Sequence, residues 1–460
     1  MSQNVAIKID EQIFPEGPAP EGKIINNYFD GLEVTGVHKF IFYLIMMAYF
    51  FEQLDNWNFG FIAPALQESW HLKMTDIATI VFWYFIGMTS GGFLGGVISD
   101  FIGRRKTFLV SILIFSVASV ATGLTDSFTV FTISRALTGF GVFCLMVTSQ
   151  AYIAEMAPAE TRGKWQGRIA GVGFCAVPVI ALLCRLIIPM GPEAYRIIFF
   201  IGGFGLVGFF IGLKYLKESP RWLAAQKRLS EAEEVMEFIT HRKIDLSEAA
   251  AKVPPREKMS EVLYGMFTKN YIVRTLLLIL LFITITPAAF ALTTWTTQLL
   301  KMKGFTVADS LTASTIISIG VPVGCFLASF VSDLGGRKIP LLILGALCAV
   351  FAFIFAHVDA FTLLVTCGFL FNVLIMAVSF VLFSYTAESY PTKMRNTATG
   401  FHNGLARLSV SASQPIIPVI HNAYGFSGVF SSVGLLFCLP IIPVLLWGLR
   451  TGGKSLEDIK

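Results

Sequence analysis

One stretch of charged sequence occurs twice in this chain at a fixed distance, and that repeat constrains the fold more than any other feature. Residues 95–106 read GGVISDFIGRRK and residues 329–338 read SFVSDLGGRK, with Asp100 and Asp333, like Arg104 and Arg337, standing 233 residues apart. The same offset relates Glu155 to Glu388, Pro158 to Pro391, Arg162 to Arg395, Gly167 to Gly400 and Gly171 to Gly404. A constant spacing over half the chain means two halves with one helix count and one register, the signature of a transporter built from repeats about a central site.

What fills the space between the repeats is apolar. With 55% hydrophobic residues, 14% charged residues and 43 Phe in 460 residues, the chain has more apolar surface than a soluble core of this length hides, so it is a polytopic membrane protein. Runs long enough to cross a bilayer as helices fall at 39–66, 77–99, 107–124, 128–154, 165–188, 195–216, 271–300, 310–331, 339–356, 361–387, 397–420 and 428–449. They predict an all-α membrane protein of twelve transmembrane helices in two six-helix bundles. The expected division is an N-terminal tail at 1–38, a first bundle at 39–217, a helical linker at 218–269 with helical patterning at 230–239, a second bundle at 270–450 and a tail at 451–460. Residues 1–38 are polar and have no apolar h-region, which argues against a cleaved signal peptide.

Orientation follows from the basic residues, which gather in alternate loops: Arg104, Arg105 and Lys106, then Arg162, Lys164 and Arg168, then Arg337 and Lys338, then Lys393 and Arg395. Those loops are expected in the cytoplasm, and an even number of spans puts both termini there, in the plasma (cell inner) membrane. The formal charge of +5 belongs to these loops rather than to a basic face, so nucleic acid is not an expected partner. Seven cysteines lie scattered in apolar runs without ligand spacing, so neither a disulfide, a metal nor a cofactor is expected. No nucleophile with a base and no phosphate loop stands out, which argues against an enzyme.

Ionisable residues inside a membrane cost a few kcal/mol each on insertion scales, about 3 kcal/mol, and are functional candidates for that reason. Glu52 and Asp55 fall near the middle of the first run, three residues apart on one helical face with Asn56 and Phe59. Two carboxylates this close suit a proton carrier, and Arg135, at a comparable depth in the fourth run, is the expected partner. The alternative is an ion pair made only for packing. Their counterparts at the 233 offset are Ile285, Ala288 and Gly368, so the acidic site belongs to one half. In the other half Arg407 stands alone at mid-depth, with Asn403, Ser411 and Gln414 on its helix face. Its forked guanidinium suits a carboxylate or phosphate; the alternative is a structural bond to another span. Trp295, Gln298, Asn372, Tyr385 and Gln150 complete the candidate substrate site.

These residues resemble the major facilitator superfamily over essentially the whole chain. The loop pattern G-x3-D-R-x-G-R-R/K appears as Gly96, Asp100, Gly103, Arg104 and Arg105, with Phe101 in place of the first Arg, and the fourth-span R-x3-G-x-G as Arg135, Gly139 and Gly141. The sugar-porter pattern E-x6-R appears at Glu155 with Arg162 and at Glu388 with Arg395, and P-E-S-P-R as Lys217, Glu218, Ser219, Pro220 and Arg221. By that resemblance Asp100, Arg104, Arg105, Glu155, Arg162, Glu218, Arg221, Asp333, Arg337, Glu388 and Arg395 are gating residues, paired when the cytoplasmic side is shut. Residues 52–66, EQLDNWNFGFIAPAL, are similar to the D-G-x-D and G-F-I-A-P of aromatic-acid:proton symporters, with Glu52 for the first Asp. The Q-Q-x-S-G-x-N of sugar porters is missing from the seventh run, and residues 448–459 have Leu449 and Arg450 where their P-E-T-K-G ending has Pro and Glu. The expectation is proton-coupled symport of a small organic anion, aromatic or short, by alternating access, with the lipid bilayer, protons and substrate as partners and one chain as the working unit. A proton-coupled sugar or polyol symporter and a non-transporting membrane sensor of the same fold are the alternatives.

Overall fold

In lipid every backbone N–H and C=O has to be satisfied within its own segment, so the apolar runs fold as helices. The computed structural model describes residues 22–23, 29, 32–247, 259–331 and 336–449. The first half comprises α1 Gly36–Trp70, α2 Met74–Ile102, α3 Arg104–Leu124, α4 Phe128–Met156, α5 Ala159–Ile187 and α6 Tyr195–Tyr215. The second comprises α7 Ile272–Met302, α8 Val307–Val331, α9 Lys338–His357, α10 Phe361–Glu388, α11 Thr392–Ser413, α12 Ile416–Cys438 and α13 Ile441–Trp447. Among the described residues ten helical stretches are long and apolar enough to cross a membrane. The two crossings that fall short, α1 and α11, are those that carry Glu52, Asp55 and Arg407.

The eleventh and twelfth crossings are divided differently from the helix boundaries. Pro415 has no N–H to give, and the helix breaks at Gln414 before resuming at Ile416. Inside α12, Gly425 leaves helical geometry at φ 64° and ψ −159°. Phe426 then packs on Phe355 near the end of α9, at 5.5 Å between centroids, while the Leu445 carbonyl accepts from Lys338 Nζ at the start of α9, at 2.9 Å. Residues after Gly425 therefore make the twelfth crossing, and residues 416–424 complete the eleventh, close to the expected 397–420 and 428–449.

Between the halves lie short helices at Pro220–Ala225, Leu229–Thr240 and Met259–Met266. Thr35, the N-cap of α1, donates its hydroxyl to the Ile239 carbonyl at 2.7 Å, and Gly22–Lys23 pairs in parallel with Ile244–Asp245. These contacts mark one face of the molecule, here the linker face; the opposite is the far face.

The duplication extends to how helices touch. A side chain at Gly87 or Gly91 of α2 would come within 2.0 or 2.2 Å of a carbonyl oxygen of α4, and one at Gly320 or Gly324 of α8 within 2.8 or 2.4 Å of a carbonyl of α10. Both glycine pairs obey the 233 offset, and both let two backbones approach as small residues do in membrane bundles. The halves themselves meet toward the far face. A Cβ on Gly60 of α1 would lie 2.8 Å from the Thr293 carbonyl of α7; Lys301 Nζ pairs with Glu68 at 3.0 Å; Gln298 donates to Gln67; Arg185 Nε donates to Thr312 at 2.9 Å. At the linker face Gly163, Gly167 and Gly171 of α5 and Gly400 of α11 have open space where a side chain would go.

Candidate functional site

The centre of the molecule is built first by α1, whose Asp55 is fully buried against Arg135 of α4. Asp55 Oδ2 lies 3.2 Å from Arg135 Nη1, and Oδ1 accepts from Ser119 Oγ at 2.6 Å and Asn58 Nδ2 at 3.0 Å. The guanidinium sits among aromatic rings, 4.6 Å from the centroid of Tyr84, 5.7 Å from Phe59 and 5.6 Å from Phe199, and its Nε and Nη2 have no hydrogen-bond partner. Tyr84 donates its hydroxyl to Asn56 Oδ1 at 2.8 Å.

Glu52, one turn earlier on the same face, does not join this pair. It is 1% exposed and its Oε2 has no hydrogen-bond partner. Arg407 is half-buried, with its guanidinium 4.9 Å from each of the rings of Phe143 and Phe290, one from each half, and its Nη1 is buried without a partner. Of the expected trio, Asp55 and Arg135 pair directly, and the Glu52 Oε2 stays outside that pair.

Two spaces open beside Trp57. One is walled by Asn56, Tyr84, Arg135, Phe290 and Thr293 among others; the second by Ser314, Ser318 and Asn372 among others. Trp57 and Thr293 belong to both walls, and Trp57 is stacked on Phe290 at 5.5 Å and 6°. Trp57, Tyr84 and Phe290 escaped the sequence reading, because in a chain with 43 Phe and 12 Tyr an aromatic carries no positional signal of its own. Trp57 alone had one, two residues after Asp55.

The remaining substrate candidates are dispersed. Trp295 Nε1 donates to Gln414 Oε1 at 2.8 Å, so these two fully buried residues satisfy each other. Gln298 holds the far-face contact with Gln67, and Asn403 donates to the Thr399 carbonyl of its own helix at 3.1 Å. Asn372 donates to the Ile317 carbonyl at 2.8 Å while its Oδ1 has no partner. Gln150 is half-buried, nearer the linker-face end of α4. Tyr385 lies at the linker face, where its hydroxyl accepts from Leu449 N at 2.7 Å; its 233-offset counterpart Tyr152 likewise ties α4 to the end of α6 through the Lys217 carbonyl. Both tyrosines are ties within a half.

The linker-face motifs form matching clusters. Arg104 Nη2 pairs with Glu155 at 2.8 Å and Nη1 with Asp100 at 2.6 Å, and Arg337 Nη2 pairs with Glu388 at 2.9 Å. Asp333 lies outside the described residues. Glu218 Oε1 accepts from the backbone N–H groups of Arg104, Arg105 and Ser219 at 2.7, 3.0 and 3.0 Å, capping α3 with an anion. Burial pushes the Glu218 carboxyl up from its ordinary value, against those N–H groups and Arg104, which favour its charged form. Gly103, at φ 103°, makes the approach possible, since a side chain there would meet Glu218 at 2.2 Å. Arg105 donates to the Leu213 carbonyl at 2.7 Å and Arg162 to that of Ala157 at 3.4 Å; Arg221 is exposed, and Arg395 leaves Nε and Nη2 unpartnered. The Arg104 and Arg337 pairs are made within a half. They tie together helix ends of the same half.

Two six-helix halves, repeated in sequence and closing on a charged, aromatic-walled centre, define a transporter fold. The chain belongs to the Major Facilitator Superfamily, whose profile matches residues 45–415. It is similar to the putative metabolite transport protein YyaJ of Bacillus subtilis (strain 168), 28% identical over 436 residues that cover 94% of this chain and 96% of that one. It is also similar to the niacin transporter NiaP of Acinetobacter baylyi (strain ATCC 33305 / BD413 / ADP1), 25% identical over 432 residues, 94% of this chain and 98% of that one. Its fold matches the partially occluded inward open conformation of the xylose transporter XylE from E. coli, with a TM-score of 0.72 and 18% identity over 90% of this chain and 99% of that one.

Proposed function

We propose that the protein is a proton-coupled symporter of a small organic anion, an aromatic or short carboxylate, working by alternating access with its linker face toward the cytoplasm. The observation that carries this reading is Arg407, a guanidinium held between Phe143 and Phe290 with a buried Nη1 that no protein group accepts from. A planar carboxylate completes such a fork, and the flanking rings suit an aromatic body. A neutral sugar offers that fork no carboxylate. The similarity to a niacin transporter supports an aromatic acid, since niacin is one. Buried carboxylates at Glu52 and Asp55 support protons as the driving ion.

The test is uptake into proteoliposomes of labelled nicotinate, nicotinamide and xylose, with and without an imposed pH gradient. Nicotinate is expected to accumulate only with the gradient, and the amide and the sugar not at all. Equal uptake of acid and amide removes the anion from this reading. Xylose accumulation alone puts the sugar symporter in its place.

A further inference from the structure

The second space beside Trp57 has an uncharged wall with a surplus of hydrogen-bond acceptors. Both halves line it, the first with Trp57, Phe61 and Val177, the second with Thr296 of α7, Ser318 of α8 and Asn372 of α10 among others. No Asp, Glu, Lys, Arg or His is in that wall, so an ion finds no counter-charge there. The hydroxyls have already spent their protons. Thr293 Oγ1 donates to the Ala289 carbonyl at 3.2 Å, Ser318 Oγ to that of Thr315 at 2.6 Å and Thr296 Oγ1 to that of Leu292, each within its own helix. Asn372 is 1% exposed, and only its Nδ2 can give a proton to the Ile317 carbonyl, at 2.8 Å, which leaves Oδ1 as a buried acceptor without a partner. Helix packing does not require this amide. At the 233 offset Asn372 corresponds to Gly139 and Ile317 to Tyr84, and in the first half a Cβ on Gly139 would lie 2.3 Å from the Tyr84 carbonyl oxygen. Where one half packs a glycine on a carbonyl, the other has an asparagine with an oxygen to spare.

We propose that this space is a subsite for one uncharged hydrogen-bond donor of the substrate, a hydroxyl or a ring amine that gives its proton to Asn372 Oδ1. This rests on the reading of the centre as a substrate site and adds a neutral point of recognition to it. The donor is uncharged because no carboxylate in the wall holds an ammonium. It is small as well. The volume is about 20 Å³, where one water needs roughly 10–15 Å³, so the space takes a single hydroxyl or amino group and no ring. The body of the substrate lies next door, since Trp57 borders the subsite and stacks on Phe290, one of the two rings that flank Arg407. A substrate without the donor leaves Oδ1 to a water or unpaired, and a buried acceptor that can be satisfied in one complex and not in another discriminates between them.

The test is calorimetric binding to the purified protein of nicotinate, of its ring-hydroxylated, ring-aminated and ring-methylated forms, and of the corresponding carboxamides. A methyl group matches a hydroxyl or amine in size and donates nothing. In the unmodified protein the best hydroxylated or aminated acid is expected to bind roughly two- to tenfold tighter than the acid methylated at the same position. Asn372→Leu is expected to reverse that order, which a variant that had merely lost its fold would not do. Should Asn372→Leu fail to fold, the unmodified protein still decides. Equal affinity of donor and methyl forms at every ring position overturns the subsite and leaves Oδ1 to water, and so does a donor preference that survives in Asn372→Leu. The carboxamides separate this inference from the anion reading. If acids and amides bind alike while the donor preference holds, the anion falls and the subsite stands. If acids bind, amides do not, and no donor preference appears, the subsite falls and the anion stands. Binding by no member of the series overturns both.

Discussion

A buried charge is tolerated where its partner is fixed, and the residues of the centre differ in how completely that holds. Asp55 and Arg135 are the closed case. Removing one partner of such a pair leaves the other buried and uncompensated, at a cost of about 3–5 kcal/mol, so Arg135→Gln is expected to lower the melting temperature of the detergent-solubilised protein sharply. Arg135→Gln with Asp55→Asn is expected to recover much of that loss; additive effects would show that the two do not act as a pair. Arg407 is the open case, and its task is geometric as well as electrostatic. Arg407→Lys keeps the charge and loses the fork, so nicotinate binding by scintillation proximity is expected to weaken by about 1.5–3 kcal/mol, roughly ten- to a hundredfold. Normal binding in Arg407→Ala would return the residue to packing. All three of these charges were visible in the sequence as breaks in apolar runs. That Arg135 meets Asp55 rather than Glu52 was not, because the two acids share a helix face and only the packing of α1 against α4 decides which one the guanidinium reaches.

At the scale of elements, the helices follow from the apolar runs, while the contacts between them rest on glycines that the runs merely contain. Gly87 and Gly91 on α2 and Gly320 and Gly324 on α8 stand where backbones touch, and the offset that relates them is the one that relates the charged loops. Two methyl groups placed at equivalent points are therefore expected to act alike but unequally. At Gly87 a Cβ would be 2.0 Å from the Ala136 carbonyl oxygen, and at Gly320 2.8 Å from that of Phe369. Gly87→Ala is expected to cost more than Gly320→Ala, within the range of about 1–3 kcal/mol for overpacking, as read from thermal unfolding in detergent. The reverse order would mean that α2 and α4 separate more readily than α8 and α10. The break at Gln414–Pro415 and the turn at Gly425 show where sequence reasoning was less precise: proline and glycine occur inside many of these helices, as Pro64 in α1 and Pro287 in α7, so neither residue by itself marks an end.

For the whole molecule, the duplication makes two halves whose linker-face ends carry equivalent ion pairs, Arg104 with Glu155 and Arg337 with Glu388. In the alternating-access cycle proposed above, one half moves against the other, and a half that flexes transmits less of that motion to its far end. Each pair is partly exposed, so neutralising it is worth about 1 kcal/mol, a roughly fivefold change in a conformational equilibrium. Gly167 and Gly400 provide the reporters, because nothing lies within 4 Å of a side chain placed there and cysteine fits without strain. With the exposed Cys175 and Cys438 replaced by serine, Gly167→Cys and Gly400→Cys are expected to react with a maleimide applied to the linker face. Far-face opening should slow that reaction. Glu155→Gln and Glu388→Gln are each expected to raise the labelling several-fold and in the same direction, because a loosened half closes less fully over the linker face. Exchanging the charges, Arg104→Glu with Glu155→Arg, should bring labelling back toward the unmodified rate. If the two neutralised variants shift labelling in opposite directions, or leave it unchanged, the clusters have no shared part in closure and Arg104 and Arg337 serve only to fold their own halves.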